Sequence, residues 1–159
     1  MEPSQYPFNP EFNVAISQEN SSSQKLIAYQ YARSVKLFSV IDGIFCFLYL
    51  FYFYWPSVFS GLFILAGYFG AKNYNKNLIL VYAIYELLDI GFDIYLLYYI
   101  YSNYDVYYGY IFSILSIVIQ VYILRIIFKC YQSIKDLRVN ELLELKNGWI
   151  PGQVVFLYW

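Results

Sequence analysis

The chain has 159 residues, of which 60% are hydrophobic, 24% aromatic and 13% charged, and its net charge is −1. Soluble domains carry about 25% charged residues because water must wet their surface, so this composition predicts that lipid covers much of the exterior. The chain has no histidine, which excludes imidazole-dependent metal and acid–base chemistry, and it has no basic patch for nucleic acid.

The first 30 residues are predicted to form a disordered cytoplasmic tail, because they combine several prolines with a run of serines. Residues 1–24 contain acids but no Lys or Arg, which argues against a mitochondrial transit peptide. Within this tail, Asn9, Pro10 and Phe12 resemble an endocytic signal of the N-P-x-Y type in which Phe replaces Tyr.

Four apolar segments follow the tail, and each is predicted to be a transmembrane helix. A helix needs roughly 20 residues to cross the hydrocarbon core, with a range of about 17–25. The segments lie at residues 37–55, 57–74, 78–101 and 107–128. The second reaches this length only if Lys72 extends toward the membrane surface. The short loops between them predict an all-α, four-helix transmembrane bundle over residues 31–131.

The basic residues predict the orientation of this bundle. They precede the first segment, lie between the second and third, and end or follow the fourth, so all of them fall on one side of the membrane. Positive loops stay cytoplasmic, which predicts that both termini are cytoplasmic. The ten residues are Lys25, Arg33, Lys36, Lys72, Lys76, Arg125, Lys129, Lys135, Arg138 and Lys146.

Residues 132–159 are predicted to form a cytoplasmic extension of the fourth helix, ended by Gly148, and a tail at the membrane interface. Cys130 lies at the predicted boundary between membrane and cytoplasm. A cysteine in that position is a candidate for palmitoylation, and an unmodified thiol is the alternative.

Small and polar residues recur on one face of each segment, at spacings of three, four and seven residues. Membrane helices associate through such faces, because small residues permit close approach and polar residues find partners away from lipid. The residues predicted to pack between helices are Gly43, Gly67, Gly70, Ala71, Ser113 and Ser116.

Ionisable and amide side chains within the segments predict a buried polar site or an ion path. These residues are Asp42, Glu86, Asp89, Asp93, Gln120 and Arg125. In the third segment, thirteen Leu, Ile, Val or Phe residues favour insertion by roughly 4 to 8 kcal/mol. Three charged acids oppose insertion by roughly 7.5 to 10 kcal/mol, so the acidic face must be sheltered by protein or water, or partly protonated.

Residues 67–73, with the sequence Gly-Tyr-Phe-Gly-Ala-Lys-Asn, precede the apolar run that begins at Leu78. This junction resembles the connection between the second and third helices of tetraspan proteins such as the tetraspanins, over roughly 20 residues. The resemblance implies a role in organising membrane partners or in trafficking.

Two functions remain open from the sequence. The first is a non-enzymatic membrane protein that binds other membrane proteins or itself, as an accessory subunit or trafficking factor. The second is a small proton or cation pathway along the acids of the third segment. No metal, cofactor or enzymatic activity is predicted, and the expected location is the endomembrane system or plasma membrane rather than the mitochondrion.

Overall fold

The computed structural model describes residues 10–51, 56–103 and 107–151. These residues form helices and turns without any strand, which confirms the predicted all-α class. The helices are α1 (Pro10–Phe51), α2 (Pro56–Lys72), α3 (Lys76–Asn103), α4 (Tyr107–Asp136) and α5 (Val139–Lys146).

The four long helices pack in chain order, and α1 also contacts α4, which closes the ring. Neighbouring helices run in opposite directions. Lys36 of α1 lies over the ring of Tyr68 of α2, whereas Cys46, farther along α1, faces Gly61, which is earlier in α2. Short connections between successive helices favour this antiparallel arrangement.

Buried stripes on α1 and α4 form much of the core. Along each helix the buried residues recur at intervals of four, three and four positions, which keeps them on one face. The α1 stripe is Ala28, Ala32, Val35 and Ser39, and the α4 stripe is Ile123, Ile127, Cys130 and Ile134. Ala32, Val35 and the whole α4 stripe belong to one hydrophobic core cluster.

The turn between α2 and α3 follows from its residues. Tyr74 adopts a φ of 49°, and the Asn75 N–H donates to the Gly70 carbonyl at 2.8 Å, which satisfies a carbonyl at the end of α2. Asn75 then caps α3, because its side-chain oxygen accepts the N–H of Asn77 at 3.0 Å. A Cβ on Gly70 would lie 2.9 Å from the Ile79 nitrogen, so the turn needs glycine there.

The N-terminal segment differs from the sequence prediction. Residues 10–30 belong to α1 and are not a disordered tail. Ala28 is fully buried, and Lys25 forms an ion pair with Glu144, so packing and charge stabilise helix in a segment whose composition is polar. Pro10 and Phe12 of the predicted sorting signal lie in the first turn of α1, and Asn9 lies outside the described residues.

The C-terminal extension also differs from the prediction of a continuous helix. Helix α4 ends at Asp136, residues 137–138 are not helical, and α5 is a separate eight-residue helix. Gly148 adopts a φ of 92° just beyond α5, and the Trp149 N–H donates to the Glu144 carbonyl at 3.1 Å. A glycine in the left-handed region ends the helix there, as its position in the sequence predicts.

The outer faces of the long helices are apolar. Among many exposed hydrophobic side chains, Leu88, Phe59 and Ile111 have exposed fractions of 69%, 68% and 64%. Within the described part of the chain, one helix, Ser113–Asp136, has the length and hydropathy to cross a membrane, and 17% of its most apolar stretch is buried. The apolar helix Val58–Lys72 is shorter. Helix α3 is long enough, but its apolar run is interrupted by three acids.

Candidate functional site: an acidic cleft between the helices

A cleft of about 970 Å³ lies between the long helices. All four contribute polar side chains to it, because each turns its polar face inward. We call it the acidic cleft and define it by the polar residues of its wall, which are Asp42, Cys46, Ser60, Tyr85, Glu86, Asp89, Asp93, Ser116 and Gln120. The remaining wall is apolar and includes Phe45, Phe92, Leu115 and Ile119.

Hydrogen bonds from α4 fix two of the acids on α3. Gln120 Nε2 donates to Asp89 Oδ2 at 2.8 Å, and one turn away Ser116 Oγ donates to Asp93 Oδ2 at 3.0 Å. The two contacts repeat in register because the helices are antiparallel and both pairs of positions recur at about one helical turn. Gln120 Oε1 is buried and has no protein partner.

Asp42 connects α1 to α3 at the end of the cleft nearest Tyr82. The Tyr82 hydroxyl donates a hydrogen bond to Asp42 Oδ2, and Tyr82 itself is fully buried. Glu86 follows one turn after Tyr82 on α3 and is only 3% exposed. Burying a charged carboxylate away from water costs free energy. The acids at this end of the cleft are therefore stable only if polar groups surround them.

Gly67 allows α2 to pack closely against α1 and α3 beside Tyr82. A Cβ on Gly67 would come within 2.6 Å of both Ser39 Oγ and the Tyr82 ring, so three helices meet at that position. Ala71 is also buried between them, whereas a Cβ on Gly43 would make an ordinary contact with Ile64 at 3.7 Å.

Three residues predicted from the sequence lie apart from the cleft or differ in environment. Arg125 is exposed on α4 and does not line the cleft, so it is not positioned to neutralise the acids there. Ser113 is half-buried and also lies outside its wall. Cys130 has no exposed surface, which removes the accessibility that palmitoylation needs, and it belongs to the α4 stripe of the core.

Tyr85 is a cleft residue that the polar pattern did not identify. Its ring stacks on Phe63 of α2 at a centroid distance of 5.6 Å and on Tyr82 at 6.3 Å. Tyr85 precedes Asp89 by four positions, and this helical spacing is the sequence signal that could have assigned it to the same face. Within the described residues, no group of three Cys, Asp or Glu side chains has an arrangement that could hold a metal ion.

Comparisons with protein-family models, with curated proteins and with solved structures found no match for this chain. The cleft is therefore interpreted from its own chemistry. Its walls contain four carboxyl groups, and no Lys or Arg side chain lines it among the described residues. Such a site favours a positively charged or hydrogen-bond-donating group that can also contact apolar side chains.

Proposed function

We propose that the protein is a non-enzymatic, multi-pass membrane protein whose acidic cleft binds a basic or polar group on a transmembrane helix of another membrane protein. The four long helices cross the bilayer, with both termini in the cytoplasm. The observation that carries the proposal is the gathering of Asp42, Glu86, Asp89 and Asp93 in one cleft without a basic counterpart in its wall.

The apolar exterior supports the membrane part of this proposal. Large hydrophobic side chains are exposed along α1 to α4, and a soluble protein would not leave so much apolar surface in contact with water. The basic residues support the orientation. Lys36 lies over Tyr68, and Lys129 lies over Tyr31, toward the same end of the bundle as the loop that joins α2 to α3.

The cleft supports binding of a partner helix for an energetic reason. A lone Lys or Arg in a transmembrane helix is costly in lipid, and a carboxylate on a neighbouring helix reduces that cost. The apolar residues beside the acids, such as Phe92 and Leu115, would contact the rest of such a helix. An accessory subunit or trafficking factor that holds unassembled membrane proteins is the class of function that fits this chemistry.

Site-specific photo-crosslinking in native membranes tests the proposal. A photoreactive residue at Leu115, in the cleft wall, is expected to form an adduct with another polypeptide. The variant Glu86→Gln/Asp89→Asn/Asp93→Asn keeps the shape of the cleft but removes three charges, so the adduct should disappear. Leu88, which is 69% exposed outside the cleft, is the matched control position. Identical adducts in both backgrounds, or none at Leu115, would contradict partner binding through the acids.

A proton or cation pathway is the second candidate. It is favoured by the regular placement of Asp89 and Asp93 along α3, each held by a donor on α4. Purified protein in liposomes under an imposed pH or cation gradient tests it, with the same triple variant as the control. We expect no flux above that of empty liposomes, because the bundle can shelter its acids without forming a pore. Flux that the triple variant loses would favour the pathway instead.

A further inference from the structure

A second polar contact lies at the other end of α1, between its N-terminal half and α5. Ser21 Oγ donates to Glu141 Oε1 at 2.6 Å, and Lys25 Nζ lies 2.6 Å from Glu144 Oε2. The Lys25–Glu144 ion pair is the one salt bridge found among the described residues. Two ionic or hydrogen-bonded contacts thus join segments that are about 120 positions apart in the sequence.

Trp149, just beyond α5, strengthens the same contact. The Lys25 ammonium lies 5.4 Å from the centroid of the Trp149 ring, and the Tyr29 ring meets that ring edge-on at 6.4 Å. A cation within about 6 Å of an indole face is attracted by the ring quadrupole. Lys25 therefore interacts with both Glu144 and Trp149, and its charge contributes to both interactions.

Glu141 couples the contact to the helical state of α5. One carboxylate oxygen accepts a hydrogen bond from Ser21 Oγ. The other accepts a hydrogen bond of 2.9 Å from the backbone N–H of Arg138, the residue at the start of α5. The second bond satisfies a backbone donor that would otherwise have no partner at the helix N-terminus. The same side chain thus joins α5 to α1 and stabilises the first turn of α5.

Helix α5 has few other sources of stability. It has eight residues, and isolated helices shorter than about 12–15 residues are marginal in water. Leu145 is buried and Leu142 packs against the core, but Val139 and Leu143 are 74% and 51% exposed. Docking and helix formation must therefore occur together, and residues 137–138 provide the hinge at which α5 can separate from α4.

We propose that α5 and Trp149 form a charge-controlled latch, which docks as a helix on the N-terminal half of α1 and unfolds from it when the Lys25 contact is lost. Opening uncovers a face of α1 around Lys25 and Tyr29 while the four long helices keep their packing. This inference does not depend on the proposed function of the cleft, because it concerns contacts outside it.

Hydrogen–deuterium exchange of the full-length protein in detergent tests the latch. Lys25→Glu faces Glu144 with a like charge, so exchange of the α5 amides should rise by about fivefold or more. The double variant Lys25→Glu/Glu144→Lys restores the opposite charges and should recover most of the protection. Lys76→Glu, at an exposed lysine in the first turn of α3, is the matched control and should leave α5 unchanged.

The exchange in α2 and α3 distinguishes opening of a latch from general unfolding. The proposal requires that both helices keep their protection in Lys25→Glu. It is overturned if α5 exchange does not change in that variant, if the double variant gives no recovery, or if α2 and α3 lose protection together with α5.

Discussion

Gly67 of α2 lies directly against the ring of Tyr82 of α3, so closely that a Cβ at position 67 would come within 2.6 Å of two ring carbons. Tyr82 in turn donates its hydroxyl hydrogen to Asp42 of α1. One glycine thus determines whether a buried tyrosine can reach the acid on a third helix, and packing is coupled to the geometry of the acidic cleft.

The substitution Gly67→Ala is expected to destabilise the protein by about 1–3 kcal/mol, because one added methyl group must displace the Tyr82 ring or Ser39. Gly91→Ala is the matched control, since a Cβ there would meet nothing within 4 Å. That change should be neutral or stabilise α3 by about 0.5–1 kcal/mol. Thermal unfolding in detergent measures both, and equal melting temperatures would show that Gly67 is not a packing position.

Removal of the Tyr82 hydroxyl tests the hydrogen bond to Asp42 separately from packing. Tyr82→Phe keeps the ring against Gly67 but leaves Asp42 without this donor, so we expect a loss of about 1–3 kcal/mol. Tyr98→Phe is the control, because Tyr98 is 69% exposed. The same unfolding measurement applies. A Tyr82→Phe protein as stable as the control would indicate that Asp42 does not depend on this bond.

Much of the cleft could be predicted because helical spacing determines which residues share a face. The four acids and Gln120 were predicted as a buried polar site and Ser116 as a packing residue, and all six line one cleft. The spacing did not reveal which side chains pair. Gln120 donates a hydrogen bond to Asp89, and Arg125 does not line the cleft. These pairings depend on the axial offset and the rotation of α4 relative to α3, which the spacing within one helix does not determine.

The N-terminal half of α1 could not be predicted from composition. The prolines and serines of residues 1–30 indicate disorder when counted, yet Ala28 is fully buried and continues the stripe of Ala32 and Val35 on the same face of α1. Average polarity conceals such a stripe, since tertiary packing contributes most of the stability of a helix. The break at residues 137–138 was equally hidden, because α4 and α5 together show one continuous amphipathic pattern.

The sequon Asn20-Ser21-Ser22 tests the orientation. Our topology requires this segment of α1 to be cytoplasmic, so Asn20 should remain without a glycan when the protein is made in cells with a secretory pathway. Mobility on a gel before and after glycosidase treatment measures this. A glycosidase-sensitive shift that Asn20→Gln abolishes would require the opposite orientation.

The latch should open in acid. Burial opposes ionisation of Glu141, but the hydrogen bonds from Ser21 and the Arg138 N–H and the charges of Arg138 and Lys25 outweigh it, so the pKa of Glu141 is lowered. A carboxyl group whose pKa is lowered by docking stabilises the docked state at pH values above its pKa in the unfolded state, which is about 4.3. That stabilisation is lost as the pH falls through the lower, docked value.

Fluorescence of Trp149 measures this transition in a protein with Trp55→Phe and Trp159→Phe. Emission should move to longer wavelength as the pH falls below the unfolded-state pKa of glutamate, about 4.3, when the indole leaves Lys25 and Tyr29. In Glu141→Gln the shift should be smaller, because the carboxyl group whose protonation weakens docking is absent. An equal shift in both proteins would show that Glu141 does not control docking.

The central claim is that α3 crosses the membrane with its acids sheltered in the bundle, and the accessibility of its two ends tests this most directly. Cysteines replace Asn73, before α3, or Ser102, at its end, in a protein with Cys46→Ala and Cys130→Ala. Both positions are exposed. In sealed vesicles, a membrane-impermeant maleimide should label position 73 only from the cytoplasmic side and position 102 only from the opposite side. Labelling of both positions from the same side would contradict the account.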